Sequence, residues 1–427
     1  MAAAKTLKTP PPGGGYGIAL DVGTTTLAGS LVDTGDGRVM GTASLPNPQK
    51  RWGADVISRI ESITGNPRLL ERLQRCAVSA FDGIISELLR GSGKRKKELK
   101  EISAAGNSVM EHILIGVSPG PIGTAPYKPV FKEAKRLAAR DIGLDVPPRT
   151  RLYAFPIIGG FVGGDAVAVT LSTGIAKGKG NILAIDIGTN SEIILSTPRG
   201  LFTTSAPAGP AFEGGEMECG MTAAKGAISG LRIEGGTLKL DVIGRVRPGG
   251  ICGSGIVDAA AELFKTGVID PSGRIKERAE VPTNLADRIK KKKGENSFII
   301  FRGPSGEITL SQRDVRAVQV AKAALKAGIS VVLEKAKTRP DDIEKVYIAG
   351  AFGSHLKKES LADIGVVDRA WLGRVESVGD AVLNGARLTL LSDDYKKEAE
   401  EIAKTAKYIP LSGSRLFEKE FIKNMSF

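Results

Sequence analysis

The chain has 427 residues, of which 41% are apolar and 25% are charged, with 60 Lys and Arg against 47 Asp and Glu. Such a composition is that of an ordinary globular protein, and at roughly 150 residues per domain the length allows two to three folding units. No apolar run approaches the roughly 18 residues of a membrane span, so we expect no membrane partner.

The formal net charge of +13 could reflect a nucleic acid partner, an acidic protein partner or solubility alone. The basic clusters at residues 94–97 and 290–293 stand between polar residues and lack interleaved aromatic side chains. Proteins that bind single-stranded nucleic acids stack the bases on aromatic side chains, so these clusters favour a solvated surface. An acidic protein partner stays open, whereas we expect no nucleic acid partner.

Two features predict a cytoplasmic protein. Residues 1–15 hold a Pro-Gly cluster without the apolar region of a signal peptide, so we expect a flexible tail. The three cysteines, Cys76, Cys219 and Cys252, are too far apart for a disulfide framework or a CxxC motif. With only two histidines in the chain, a zinc site is not expected either. Any metal ion that this protein binds should therefore be a hard cation.

The most informative feature of the chain is an internal repeat. Residues 17–32 read GIALDVGTTTLAGSLV, and residues 181–195 read NILAIDIGTNSEIIL. The shared positions include an aspartate, a glycine and a threonine: Asp21, Gly23 and Thr24 in the first copy, and Asp186, Gly188 and Thr189 in the second. Each copy has an apolar run, the acid, Gly-Thr and a second β-rich run, which predicts a β-hairpin with an Asp-x-Gly-Thr turn.

These two turns carry groups that suit phosphate and a hard metal ion. Glycine lets a backbone approach closely, the following N–H groups can form a nest for phosphate, and the hydroxyls of Thr24, Thr25 and Thr189 add donors. The aspartate cannot bind phosphate directly, so it would hold a hydrated Mg²⁺ or orient a nucleophile. A single Asp-x-Gly-Thr is most often an ordinary tight turn, but two copies facing across a cleft would clamp a nucleoside triphosphate.

A glycine loop and two acidic helix starts complete the pattern. Residues 346–354 read VYIAGAFGS, which predicts a buried strand running into a loop where a flat base could lie against the backbone. The alternative is a strand followed by a tight turn. Asp165 and Asp380 each open a predicted helix that is rich in small residues. Aspartate there is commonly an N-cap, but small residues also let two helices touch at a hinge.

Asn107 and His112 lie between the two copies of the repeat. Asn107 follows an apolar strand and could reach a phosphate or a metal-bound water, with a turn-forming asparagine as the alternative. His112 lies on a predicted helix, where we expect a half-buried histidine rather than a ligand. Glu192, in the second copy, faces either the cleft or the strand surface. Residues 263–313 contain prolines and a lysine run, and we expect an irregular insertion that faces a partner.

In this order the motifs resemble the superfamily of acetate and sugar kinases, heat-shock protein 70 and actin. The resemblance covers residues 17–391. It implies an α/β fold in which two ribonuclease-H-like lobes, each with a five-stranded mixed sheet, close on Mg-ATP. After the tail at 1–15, the lobes would span 16–180 and 181–427.

The same resemblance assigns the site residues. Asp21 and Asp186 would be the catalytic carboxylates and the ligands of Mg²⁺, and the hinge would lie at Asp165 and Asp380. The nucleotide would contact the two turns, the asparagine between them, the glycine loop and the start of the second helix: Gly23, Thr24, Thr25, Asn107, Gly188, Thr189, Asn190, Gly350, Gly353 and Asp380.

Loops between these motifs narrow the resemblance to one family. They read AGNSVMEH, SAPAGPAFEGG, GICGSG, LSQRD and AGAFG, at residues 105–112, 205–215, 250–255, 310–314 and 349–353. Together they resemble the ATPase part of the reductive activators of corrinoid proteins. That family couples ATP hydrolysis to the reduction of cob(II)amide to cob(I)amide in a corrinoid protein partner, and its members are commonly homodimers.

The sequence departs from that family in its electron carrier. Members usually carry a fused ferredoxin-like domain whose cluster is ligated by closely spaced cysteines, and the three cysteines of this chain are scattered. We therefore expect no iron–sulfur cluster and electrons from a separate donor such as a ferredoxin. The activators of 2-hydroxyacyl-CoA dehydratases are disfavoured for the same reason. A small-molecule kinase, with Asp186 taking a proton from a substrate hydroxyl, and an ATP-regulated chaperone or scaffold stay as alternatives.

Overall fold

The computed structural model describes residues 15–292, 294–304, 306–350 and 356–427. Its strands are β1 (Tyr16–Val22), β2 (Thr26–Asp33), β3 (Val39–Pro46), β4 (Leu99–Gly106), β5 (Lys135–Ala138), β6 (Arg151–Ala154), β7 (Ile182–Asp186), β8 (Ser191–Thr197), β9 (Gly200–Ala206), β10 (Ala227–Glu234), β11 (Thr237–Val242), β12 (Gly250–Ile251), β13 (Ile289–Lys292), β14 (Glu295–Gly303), β15 (Gly306–Ser311), β16 (Lys345–Ala349), β17 (Val375–Gly379) and β18 (Lys407–Tyr408). Its helices are α1 (Val56–Gly65), α2 (Arg68–Gly91), α3 (Ser108–Leu114), α4 (Gly164–Thr173), α5 (Gly253–Lys265), α6 (Gln312–Ala336), α7 (Lys358–Asp363), α8 (Ala381–Leu391), α9 (Asp393–Thr405) and α10 (Arg415–Lys423).

The chain divides into two compact units, neither of which is continuous in sequence. The first unit comprises the described part of Met1–Lys179 with Pro198–Thr203 and Ala381–Tyr408, and the second comprises the described parts of Gly180–Thr197, Thr204–Asp380 and Ile409–Phe427. The chain thus returns to the first unit with α8, α9 and β18. The lobe bounds expected from the sequence stay a prediction.

The first unit is built on a six-stranded sheet with the order β3-β2-β1-β4-β6-β5. Strand β1 pairs antiparallel with β2 and parallel with β4. Because side chains alternate between the faces of a strand, each face needs its own cover. Helix α2 covers one face, where Ile84 lies against Gly29 of β2, and α8 covers the other, where Leu390 lies against Gly17 of β1. The end of β1, which carries Asp21, is thus held between strands β2 and β4 at its edges and between helices α2 and α8 on its faces.

The second six-stranded sheet repeats this plan with the order β17-β16-β7-β8-β9-β18. Strand β7 pairs antiparallel with β8 and parallel with β16, just as β1 does with β2 and β4. Three antiparallel strands followed by two parallel ones give the ribonuclease-H-like order in both sheets. The predicted α/β fold is confirmed.

Two expectations about the sheets are wrong in detail. Each large sheet has six strands rather than five, because the short strands β5 and β18 pair at an edge. The segment 263–313 was expected to be irregular, yet it contains the antiparallel sheet β13-β14-β15. A second small sheet, β11-β10-β12, precedes it. The edge strands β5 and β18, of four and two residues, carry too short a pattern of alternation to be recognised from sequence, whereas β14 and β15 are longer and were missed because prolines and the lysine run dominate that segment.

Helices α4 and α8 touch through small residues, as predicted. A β-carbon placed on Gly385 of α8 would lie only 2.2 Å from the carbonyl oxygen of Ala168 in α4. Both helices belong to the first unit. Whether they form a hinge with Asp380 stays a prediction.

Gly385→Ala should lower the free energy of unfolding by about 1–3 kcal/mol, because the added methyl group would meet the backbone of a packed helix. Guanidinium unfolding followed by circular dichroism measures this change. Gly83, in the exposed part of α2, is the matched control, since a β-carbon there would have no atom within 4 Å. Gly83→Ala should stabilise by about 0.5–1 kcal/mol. Equal effects of the two substitutions would contradict the close helix contact.

Candidate functional site

The first Asp-x-Gly-Thr turn joins β1 to β2. Asp21 is paired in register with Ala28 of β2 and Ala105 of β4, so it lies at the carboxyl end of the central parallel pair. A β-carbon on Gly23 would lie 2.2 Å from the carbonyl oxygen of Thr26, and only glycine fits this turn. The turn therefore has the tight geometry that the repeat predicts.

Asn107 makes a capping contact and a contact with the first turn, while its reach to a phosphate or a metal-bound water stays a prediction. Its Oδ1 accepts a hydrogen bond from the backbone N–H of Met110 at 3.0 Å and so caps α3. Its Nδ2 donates to the hydroxyl of Thr24 at 2.9 Å. Both side chains are buried, with exposed fractions of 5% and 6%. Asn107 is thus a capping residue that also fixes the hydroxyl of the first turn.

Two buried carboxyl groups lie behind this edge of the sheet. Asp165 is the second residue of α4, whose N-cap is Gly163, so the alternative that this aspartate is the N-cap is wrong. Its Oδ1 accepts from the N–H of Ala166 at 2.8 Å. Glu111 is fully buried, and its Oε1 accepts from the N–H of Gly106 at 3.1 Å. A β-carbon on Gly164 would lie 2.2 Å from that Oε1, which is why the α4 start needs glycine.

Burial sets the protonation of these two groups. It raises the pKa of the Asp165 carboxyl to about 7. Burial, and secondarily the charge of Asp165, raise the pKa of Glu111 well above its ordinary value. The Oε2 of Glu111 has no hydrogen-bond partner among the described residues. We expect Glu111 to be protonated at neutral pH, since an unpaired buried carboxylate is costly.

His112 is a buried helix residue and not half-buried as expected. Its Nδ1 donates to the carbonyl oxygen of Ser108 at 2.6 Å, and its Nε2 accepts from the N–H of Val130 at 3.0 Å. The ring stacks on Phe131 with centroids 4.3 Å apart. Because one nitrogen must accept, the neutral form is required, and burial lowers the pKa of His112 to about 4.

Acid should therefore destabilise the fold through His112. Its folded pKa lies below the usual 6.5, so the stability it contributes is present above pH 6.5 and is lost as the pH falls towards 4. The loss should reach about 2 kcal/mol at pH 5 and roughly 3 kcal/mol near pH 4. Urea unfolding at pH 8, 6 and 5 measures the free energy of unfolding of the parent and of His112→Gln. The difference between the two proteins isolates His112, because the other acid-sensitive groups contribute equally to both. A difference that stays constant across this range would contradict the prediction.

The second Asp-x-Gly-Thr turn joins β7 to β8 in the second unit. Asp186 is 8% exposed and is paired in register with Glu192 of β8 and Ala349 of β16. The backbone N–H and the hydroxyl of Thr189 donate to Oε1 of Glu213 at 2.6 and 2.9 Å. Glu213 comes from the loop at residues 205–215, and the sequence did not assign it to the site. The donors of this turn thus already serve one carboxylate oxygen.

Other residues of the second turn hold its shape. The hydroxyl of Ser191 donates to the carbonyl oxygen of Gly188 at 3.1 Å. Asn190 is half-buried beside it. Glu192 is 3% exposed, and its Oε1 accepts from the hydroxyl of Ser205 at 3.0 Å, so it is not on the strand surface.

The glycine loop begins against the second turn. The N–H of Ile187 donates to the carbonyl oxygen of Ala349 at 3.1 Å. Gly350 has φ of 113°, and a β-carbon there would lie 2.7 Å from the carbonyl oxygen of Ile187 and 3.2 Å from Oδ1 of Asp186. Its N–H donates to the carbonyl oxygen of Gly379, the residue before Asp380, at 3.0 Å. The second unit thus brings three predicted motifs together, while Gly353 lies outside the described residues.

The two turns each supply one carboxylate of the kind that binds magnesium. In the described ranges no group of three or more His, Cys, Asp or Glu side chains is arranged to hold a metal ion. Mg²⁺ commonly takes one or two carboxylates and completes its shell with water and phosphate oxygens, and the carboxylates of Asp21 in the first unit and of Asp186 in the second are each of that ligand type. Over the same part of the chain, no helix is long and apolar enough to cross a membrane.

Two family models match the chain in order. Residues 180–427 match the C-terminal domain of RACo, described as the ASKHA domain, which is the superfamily of acetate and sugar kinases, heat-shock protein 70 and actin. Residues 16–178 match the RACo middle region.

Individual relatives agree with these matches. The corrinoid activation enzyme RamQ of Eubacterium limosum is 34% identical over 418 residues, which cover 96% of this chain and 70% of RamQ. The Co(II) methylated amine-specific corrinoid protein reductase of Methanosarcina barkeri is 25% identical, with 96% of this chain and 77% of the reductase covered. A solved reductive activator for corrinoid, iron–sulfur protein aligns with a TM-score of 0.91 and 34% identity over 99% of this chain and 67% of that chain. The predicted resemblance is thereby confirmed, and the chain belongs to the RACo family of corrinoid protein activators.

Proposed function

We propose that this chain is a Mg-ATP-dependent ATPase that reactivates a corrinoid protein by promoting reduction of cob(II)amide to cob(I)amide. The observation that carries the proposal is the pair of Asp-x-Gly-Thr turns, each at the carboxyl end of a central strand with a parallel neighbour, in a chain of the RACo family. Relatives named for corrinoid activation support the same partner class.

Each of the two turns would bind phosphate groups of the nucleotide with its own residues. The first turn would bind phosphate through Gly23, Thr24 and Thr25, with Asn107 holding the Thr24 hydroxyl in place. The second would bind phosphate through its own glycine, threonine and asparagine: Gly188, Thr189 and Asn190. There the phosphate would take the Thr189 donors that Glu213 now occupies.

The remaining site residues would act on the base, the metal and water. Gly350 and Gly353 would leave room for the base, and Asp380 follows the glycine that Gly350 contacts. Asp21 and Asp186 would hold Mg²⁺, which neutralises phosphate charge when bound. Asp186 would also orient the attacking water and take its proton on a carboxylate oxygen.

The lobes would close on ATP and reopen after hydrolysis. This motion would change the surroundings of the cobalt in a docked corrinoid protein. One electron from a separate donor, such as a ferredoxin, would then reduce Co(II) to Co(I). The scattered positions of Cys76, Cys219 and Cys252 motivate the separate donor. A homodimer and a cytoplasmic location stay predictions from the sequence.

Titration calorimetry tests the nucleotide part of this proposal. The protein should bind ATP in a magnesium-dependent manner, and free phosphate should appear from labelled ATP without any added acceptor. No heat at millimolar ATP and magnesium would overturn the proposal. Binding without phosphate release would favour a kinase that needs a hydroxyl acceptor, or an ATP-regulated scaffold.

A further inference from the structure

Three polar side chains form a fully buried network behind the first Asp-x-Gly-Thr turn. Asn47, Gln49 and Arg59 are each 0% exposed. Nδ2 of Asn47 donates to Oε1 of Gln49 at 3.3 Å, and Nη1 of Arg59 donates to the same oxygen at 3.2 Å. The N–H of Gln49 donates to Oδ1 of Asn47 at 2.9 Å. We call these three residues the turn anchor.

The turn anchor holds three consecutive carbonyl groups of the turn. The carbonyl oxygen of Gly23 accepts from Nδ2 of Asn47 at 2.9 Å. That of Thr24 accepts from Nη2 of Arg59 at 2.7 Å. That of Thr25 accepts from the backbone N–H of Asn47 at 2.7 Å. Every carbonyl from Gly23 to Thr25 is thus directed at one cluster of donors.

This arrangement fixes the direction of the amide groups as well. In a trans peptide the C=O and the following N–H point in opposite directions, and these three peptides are trans. The N–H groups of residues 24–26 therefore point away from the turn anchor. Successive N–H groups that point to one side are the arrangement that binds anions in phosphate loops.

Arg59 also places a buried positive charge behind these amides. Its Nε donates to the carbonyl oxygen of Gly53 at 3.0 Å, and Nη1 also lies 3.0 Å from the sulfur of Met110. Burial lowers the pKa of Arg59 to about 10, so the guanidinium stays charged at neutral pH. Among the described carboxylates, none lies within the 4.0 Å of an ion pair with it.

A second buried cation of the same unit shows the usual arrangement. Lys396 is 5% exposed, and its Nζ is paired with carboxylates of Glu101 at 2.8 Å and Asp393 at 2.9 Å. A buried charge without such a partner is costly to the fold. The hydrogen-bond partners of Arg59 are all neutral, and the charge of Asp55 acts on it only from beyond ion-pair distance. The amide groups of the turn that Arg59 contacts are where a polyanion would bind.

We propose that Arg59 is a positioning residue for phosphate binding: it aligns the amide groups of the first turn through the Thr24 carbonyl and supplies the positive charge behind them. This rests on the proposed function, the binding of Mg-ATP. Asn47 and Gln49 hold the guanidinium and the neighbouring carbonyl in place.

The test compares Arg59→Met, Arg59→Lys and the control Lys396→Met in the full chain. Calorimetry measures binding of Mg-ATP, Mg-ADP and adenosine, and thermal unfolding measures stability. Arg59→Met should weaken Mg-ATP by about tenfold to a hundredfold, Mg-ADP by less, and adenosine by under about twofold. Arg59→Lys keeps the positive charge but lacks the planar guanidinium with its several N–H donors, so the loss of affinity for Mg-ATP should be smaller than in Arg59→Met. Lys396→Met should lower the unfolding temperature and leave all three affinities within about twofold.

A purely structural role for Arg59 would weaken the three ligands equally or leave the affinity of the folded protein unchanged, and either result overturns the inference. If Arg59→Met fails to fold, Arg59→Lys alone tests the inference. Parental affinity of Arg59→Lys for Mg-ATP would overturn the positioning role. If the parent binds no Mg-ATP, the proposed function itself fails. Parental binding together with an unaffected Arg59→Met overturns the inference alone.

Discussion

Asp186→Asn should reduce ATP hydrolysis by about a hundredfold or more and leave Mg-ATP binding within a few-fold of the parent. A carboxylate that orients water and takes its proton acts in the transition state, so its loss lowers turnover more than affinity. Asparagine has the same shape, and at this buried position between β8 and β16 it should leave the sheet intact. Phosphate release under saturating Mg-ATP, with calorimetry for binding, measures the two effects separately.

Two further substitutions make this result specific. Asp258→Asn is the matched control, because Asp258 is a 1% exposed aspartate of the same unit that accepts from the N–H of Leu231 and pairs with Lys357. It should lower stability and leave hydrolysis by the folded protein near the parental rate. Thr24→Ala should instead weaken phosphate binding. Parental hydrolysis by Asp186→Asn would move the catalytic role to another carboxylate, with Asp21 or Asp165 next.

The motifs that were predictable from sequence are those that repeat. The two turns and the α4 and α8 helices were found because their residue types recur in the same order, and the structure places each where the pattern put it. Local chemistry is enough for such features, since a tight turn needs glycine wherever it occurs. The shared order of the motifs then identified the superfamily.

The turn anchor could not be predicted in this way. Residue type alone predicts that Asn47, Gln49 and Arg59 are exposed, because asparagine, glutamine and arginine are rarely buried. Their burial results from the packing of α1 and the segment after β3 around the turn, with partners 24 and 35 positions apart in sequence. The only sequence signal is their position soon after the hairpin, which many surface residues share.

The raised pKa values of the buried acids were equally hidden. A sequence shows that Glu111 follows Asn107 on a helix, but not that the carboxyl group is fully enclosed near Asp165. Asp165 looked like a helix cap, and the structure gives that position to Gly163. Groups of this kind acquire their pKa from tertiary burial, so their function has to be inferred from coordinates.

Reactivation of a corrinoid protein should require this chain and Mg-ATP together. A cob(II)amide-bearing partner from the same source, mixed with a mild reductant or a ferredoxin, should stay inactive until both are added, and the cob(I)amide absorption band should then appear. The physical reason is that the donor has too little driving force for Co(II), so the free energy of ATP must be coupled to the electron transfer.

Metal content and the nucleotide dependence of the band decide this last prediction. The three cysteines of this chain cannot supply four thiolates, so the purified chain should be colourless and contain no stoichiometric iron. Asp186→Asn is the matched control, because it should bind Mg-ATP and yet fail to develop the band at the parental rate. The reductive function would be contradicted if the cob(I)amide band grew equally fast without ATP. It would also be contradicted if the band failed to appear with every corrinoid partner tested. Stoichiometric iron in the purified chain would instead contradict the separate electron donor.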